Sequence, residues 1–212
     1  RWTNWERTYL GLRKAEKNIP TYLREGMLVK DAGYSQFVLF FQDNAKMSFQ
    51  LANFLFKLST DKQIKKQNGF PEVYECLLWV IVTAYYSMFY MANAALAKIG
   101  IKVSDKIPHK VTQDALIIYF LKSKRLAKSL LEDYKATKAE VLNLMNVNEE
   151  DLLKDFQIKA QELVATFDYQ RRRRGEFQYE IKTSAKQQVA QTSIDRAKKF
   201  IQEITLVIEK IH

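Results

Sequence analysis

The residues 169–180, Tyr-Gln-Arg-Arg-Arg-Arg-Gly-Glu-Phe-Gln-Tyr-Glu, hold the densest set of groups able to do chemistry. Arg171, Arg172, Arg173 and Arg174 are adjacent guanidinium groups. Each planar fork can bind two phosphate oxygens at once. On a helix, successive residues point about 100° apart, so the run cannot serve one buried face. Some of its members can pair with Asp168, Glu176 or Glu180, which leaves others for a phosphate. A second reading needs no ligand, because a cationic helix C-terminus complements the helix dipole. Cutting a phosphodiester needs more than a cation. It needs a general base for the attacking hydroxyl. A tyrosine, with a reference pKa near 10, is a poor base at neutral pH, which counts against Tyr179 in that role. Glu176 and Glu180 would repel the phosphate they served. His109 is the only internal histidine, and His212 is terminal. His109 has two readings: an acid or base that comes near Arg172 in the folded chain, or a helix-start residue that caps or packs locally.

A second basic span covers residues 122–138. Its Lys122, Lys124, Arg125, Lys128, Lys135 and Lys138 form either one broad phosphate-binding patch or an ordinary solvated face. Tyr119 or Tyr134, if exposed, could stack on bases. The formal net charge of +10 favours an anionic partner, nucleic acid or an acidic surface, over a neutral one.

Several chemistries find no parts. Cys76 is the single cysteine, which excludes an intramolecular disulfide and a cysteine-based zinc site. A reducing cytoplasm is the natural setting. There is no glycine-rich phosphate loop, no Gly-x-Ser-x-Gly elbow and no pair of Glu-x-x-His motifs. No metal or cofactor is expected. The chain opens Arg-Trp-Thr, so a trimmed start is expected, and no signal peptide is visible.

The elements that position these residues read as helices. Only 6 glycines and 3 prolines punctuate 212 residues, and strand signals are weak. A first helix over 2–25 is expected to break or restart at Pro20. The segment 26–35 reads as a loop, and Ser35 as the cap of a helix over 36–58. Phe37, Phe40, Phe41, Met47, Leu51, Phe54, Leu55 and Leu58 recur along that helix. Pro71 suits the first turn of a third helix, about 71–99. Its charge-free run from Cys76 to Ala92 raises a membrane span. Glu72, Glu75, small alanines and three tyrosine hydroxyls favour a buried central helix instead. Gly100 is the expected C-cap. A loop leads to a short helix over 109–122, and a basic helix starts at about 123. A helix over about 149–174 ends in the arginines. The last helix, about 184–211, is expected to open at Thr183 or Ser184. Its seam is Ala197, Phe200, Ile201, Ile204, Val207, Ile208 and Ile211. Residues 1–34 read as an N-terminal helical extension and 35–212 as one all-α, up-and-down helical bundle.

The order of four short motifs resembles the prokaryotic HEPN family. Ala84-Tyr85-Tyr86-Ser87-Met88-Phe89 resembles that family's Ala-Tyr-Tyr-x-Met-Phe helix. Pro108-His109-Lys110 is similar to its histidine-bearing helix start. Residues 162–180 are similar to its arginine segment, and 191–204 to its closing Ala-rich helix with a Phe-Ile pair. The likeness spans about 36–210, with an insertion around 123–155. It implies a bundle that is commonly a homodimer and serves nucleic-acid-related roles. Many members are metal-independent endoribonucleases of the toxin-antitoxin or defence type, whose motif is an Arg followed four to six residues later by a His. Here that His is absent: five residues beyond Arg172 stands Phe177, and six beyond Arg173 stands Tyr179. The resemblance therefore implies binding of RNA, or of a nucleotide-bearing partner, through Arg171–Arg174, with help from Lys122, Lys124, Arg125 and Lys128. It leaves two alternatives. One is an endoribonuclease using Arg172 or Arg173 with Tyr179 or His109. The other is a non-catalytic subunit of a nucleotidyltransferase or defence complex, in which Tyr179 can be the residue a partner nucleotidyltransferase modifies. Neither alternative involves a membrane.

Overall fold

A computed structural model describes residues 4–145 and 179–211, with side chains over 10–145 and 186–211. The fold is all-α, a helical bundle with one short two-stranded ribbon among the described residues. The elements in chain order are α1 (Asn4–Arg24), β1 (Leu28–Lys30), a 3₁₀ turn (Ala32–Phe37), α2 (Val38–Thr60), α3 (Lys62–Gln67) and α4 (Leu77–Lys98). Next come β2 (Ile101–Val103), α5 (Pro108–Leu116) running into a π-helical turn (Ile117–Leu121), α6 (Lys128–Met145) and α7 (Tyr179–Glu209).

α4 is the axis of the bundle. It packs against α2, α5, α6 and α7. Its Val80, Ala84, Tyr85, Met88, Ala92, Ala95 and Leu96 are all fully buried. Those residues fill one half of the helix, and Val82, Ser87, Asn93, Ala94 and Ala97, also buried, occupy the other, so α4 is covered on every side, as a helix in the middle of a bundle requires. The small Ala84, Ala92, Ala94, Ala95 and Ala97 let neighbouring helices approach closely. α4 is long and apolar enough to cross a bilayer by length and composition, but most of it is buried inside the protein. It is a core helix. α2 faces it with Ala45 and Ala52, seven residues apart and both buried. α7 contributes Ala190, Ile194, Ala197, Phe200, Ile204 and Ile208, all buried at spacings of three or four.

Several boundaries differ from expectation, each for a local reason. α1 continues through Pro20. Pro20 is exposed, while Ile19 and Tyr22 beside it are buried. Water can therefore satisfy the carbonyl that proline leaves without a donor, and packing offsets the roughly 3 kcal/mol cost of an interior proline. The third helix starts at Leu77, not Pro71. Side chains hold the chain open just before it. The Ser59 hydroxyl accepts the Cys76 amide at 3.0 Å and the Glu75 carboxylate accepts the Leu77 amide at 3.0 Å. Lys65 Nζ donates to the Glu72 carbonyl at 2.7 Å. The basic helix begins at Lys128, because the chain turns through Lys124 at φ 59°. In that turn the amides of Arg125 and Leu126 both donate to the Phe120 carbonyl. The last helix is already formed at Tyr179.

The two segments expected to be loops pair with each other. β1 and β2 are antiparallel, with Leu28 opposite Val103 and Lys30 opposite Ile101. Asp31, not Ser35, caps the 3₁₀ turn that leads into α2, its carboxylate accepting the Gly33 amide at 2.9 Å. Gly100 ends α4 with φ +68°, as expected of a C-cap. It is also a close approach: a Cβ there would stand 3.0 Å from the Asp31 carbonyl oxygen.

Candidate functional site

The polar groups that could do chemistry meet inside the bundle. Pro108 opens α5 at its first turn, so His109 follows on a fixed path. Its neighbour Ile107 takes a left-handed conformation, φ 46°, which is unusual for a β-branched residue. The turn drives His109 into the core, where it is 1% exposed. Tyr85 of α4 meets it, hydroxyl to Nδ1 at 2.8 Å. The Tyr134 hydroxyl of α6 lies 3.5 Å from that of Tyr85. One turn further along α6, the buried Lys138 donates from Nζ to the Gln113 side-chain carbonyl at 2.5 Å. Aromatic rings close over the imidazole, with centroids at 4.3 Å for Phe89 and 5.6 Å for Tyr86. Imidazole Nε2 has no hydrogen-bond partner among the described residues.

The electrostatics arise from this closure. Burial, and secondly the Lys138 ammonium, pull the His109 pKa from its ordinary 6.5 to about 3. The ring is therefore neutral at physiological pH. It carries one proton, and whichever nitrogen holds it, Nε2 remains the unsatisfied one. Burial also pushes the Tyr86 phenol well above its usual range. A neutral imidazole against a tyrosine is an acid-base couple, yet this one is shut away from solvent. No phosphodiester reaches it unless α4, α5 and α6 part. Sequence patterns gave no signal for the meeting of Tyr85, Tyr134 and Lys138 around His109, which draws on three elements; only the need of the α4 tyrosines for partners between helices pointed towards it.

Two further buried polar groups are structural. Asp114 accepts from Asn18 Nδ2 at 2.8 Å and from the Tyr22 hydroxyl at 3.0 Å, which ties α1 to α5. Cys76 lies 3.1 Å from the Ser59 hydroxyl, and burial pushes its thiol pKa up. It is a poor nucleophile.

Arg171, Arg172, Arg173 and Arg174 lie outside the described residues, as does the side chain of Tyr179, the first residue of α7. The other expected binding residues are in view. Lys122 pairs with Glu16 at 2.7 Å, and Lys128 approaches Glu132 at 3.8 Å. Lys124 and Arg125 are exposed on the turn before α6. The span 122–138 does not make one broad basic face. Lys138 is buried, and Lys135 is half-buried with its pKa pulled down, first by burial and then by Lys138. The helical period turns both toward α5 and α1. Tyr134 is fully buried and cannot stack on a base; Tyr119 is half-buried. On the other side of α6, Arg196 and Lys199 of α7 engage Glu140 and Asp133, with Arg196 to Glu140 at 2.8 Å. No cluster of three potential metal ligands occurs among the described residues.

Comparison of the chain with protein-family models, with curated proteins and with solved structures gives no match.

Proposed function

We propose that the chain is a HEPN-like, nucleic-acid-associated protein. In this reading it holds RNA, or a nucleotide-bearing partner, on the arginine run Arg171–Arg174 and does not cut it. The observation that carries the second half is the enclosure of His109. The one internal imidazole is 1% exposed and neutral, hydrogen-bonded to Tyr85 behind a cover of aromatic rings. A general base must reach its proton directly or through one water. An imidazole held this way has no such reach toward a bound phosphodiester. The net charge of +10 and the exposed Lys124 and Arg125 support the first half. A cytoplasmic setting belongs to the same proposal.

The test is fluorescence anisotropy with a labelled single-stranded RNA, followed by electrophoresis of the same sample after incubation in EDTA. The expected result is binding that weakens steeply with salt, with the RNA recovered intact. Absence of binding at low salt overturns the reading. Cleavage that survives chelation and is lost in Arg172→Ala or Arg173→Ala replaces it with the endoribonuclease alternative.

A further inference from the structure

Lys135 of α6 reaches α1. It is half-buried, yet its ammonium makes no hydrogen bond and no ion pair among the described residues. Lys138, one turn further along α6, is buried and donates to Gln113 at 2.5 Å. The carboxylates that act on Lys135 are engaged elsewhere. Asp114 accepts from Asn18 and from the Tyr22 hydroxyl, and Glu132 faces Lys128 at 3.8 Å. Four charged groups therefore bear on Lys135: Lys138 and Lys128 against its proton, Asp114 and Glu132 for it. Burial is the largest influence, and the pKa falls. A dry setting and a neighbouring cation are the two usual ways of making a lysine nucleophilic at neutral pH. Gly11 gives access to the amine. It lies inside α1, half-exposed, at a position where glycine is a poor helix former. A Cβ there would stand 3.5 Å from Lys135 Nζ. Apart from its chain neighbours and the backbone of α1, no other atom of the described residues comes within 4 Å of that point. The missing side chain leaves a notch with the amine at its floor.

We infer that Lys135 is a reactive amine that takes small carbonyl acids, an aldehyde or keto group beside a carboxylate, as an imine in the notch over Gly11. The neutral nitrogen adds to the carbonyl carbon. A proton passes from nitrogen to oxygen, and water leaves as the C=N bond forms. The ligand is small because the notch is the space of one side chain. It is an acid because Lys128, Lys135 and Lys138 outnumber Asp114 and Glu132, and both carboxylates already face donors. The site is independent of the RNA-binding proposal.

Reductive trapping tests it. The full chain is incubated with glyoxylate and cyanoborohydride at neutral pH and digested, and mass spectrometry follows the rate of labelling at each lysine. Lys135 is expected to be labelled at least about threefold faster than the exposed Lys30, Lys57 and Lys106 of the same sample. That ratio falls when uncharged acetaldehyde replaces glyoxylate. Gly11→Leu fills the notch with a better helix former, so the ratio drops to one or below while the helical circular dichroism spectrum is kept. Lys138→Gln retains a donor for Gln113 but removes the neighbouring charge, and moves the pH profile of Lys135 labelling to higher pH. Lys135 labelled no faster than the exposed lysines, or equally fast in Gly11→Leu, overturns the proposal. A ratio unchanged with acetaldehyde overturns the assignment of an acid as its ligand, and an unshifted profile in Lys138→Gln overturns activation by the neighbouring cation.

Discussion

Acidification is the sharpest probe of the enclosed histidine. His109 has a pKa of about 3 in the folded chain, against 6.5 for an ordinary imidazole. A folded pKa below the unfolded one means that the unfolded chain binds the extra proton between those values. Stability is therefore complete above about pH 6.5 and falls as pH drops through the window toward 3. From pH 7 to pH 5 a histidine of ordinary unfolded pKa loses about 2 kcal/mol, provided its folded pKa lies well below 5. The groups facing the ring are Tyr85, Tyr86, Phe89, Tyr134 and Lys138, none of them a carboxylate. Carboxylates begin to contribute only toward its lower end. Urea unfolding followed by circular dichroism at pH 7, 6 and 5 measures the slope, and His109→Gln is the control. The wild type should lose about 2 kcal/mol across the series and the variant markedly less, whatever its absolute stability. Equal slopes in the two proteins would refute the reasoning, because they would mean that the imidazole is reached by water and protonates in the folded state.

Four other outcomes are expected from the same packing. Tyr85→Phe removes the Nδ1 partner of an imidazole whose Nε2 has none among the described residues, and should cost about 1–3 kcal/mol in urea unfolding at pH 7. Gly100→Ala places a Cβ against the Asp31 carbonyl at a left-handed position; a fall in melting temperature equivalent to about 1–3 kcal/mol is expected. Arg196→Ala leaves Glu140 and Asp133 short of a cation between α6 and α7, each about a quarter exposed, and should destabilise by about 1 kcal/mol, less at high salt. Cys76 in the folded protein should react with a thiol reagent far more slowly than in urea, because its thiol is buried and its pKa raised.

How far the sequence spoke depended on whether a signal was local or shared between elements. The apolar run from Leu77 to Lys98 and the spacing of Ala197, Phe200, Ile204 and Ile208 announced buried helices, and Gly100 announced an end. These are properties of neighbouring residues along one helix. The start of α4 was misplaced because Ser59 and Lys65, from earlier in the chain, hold the turn before it. The β1–β2 pair was missed because each strand is three residues long and makes sense only beside the other. Pro20 was read as a break by a local rule that packing of Ile19 and Tyr22 overrides. The apolar residues of α2 recur along the helix with nothing in the sequence to divide Ala45 and Ala52, which are buried, from Met47 and Phe54, which meet solvent. The partners of His109 come from α4 and α6, and no pattern within α5 names them. Of the two readings the sequence offered, packing at a helix start is right about its burial but not about its partners, which come from α4 and α6 and not from its own turn.

The central claim is that the guanidinium run grips a phosphate backbone. It is tested most directly by the salt dependence of RNA affinity in the wild type and in the variant with Arg171, Arg172, Arg173 and Arg174 all replaced by alanine. Each lost contact to a single strand should flatten the slope of log K against log salt by about 0.7. The account predicts weaker binding and a slope lower by about 1.4–2.8, the loss of two to four contacts. Parallel lines of equal affinity would contradict it.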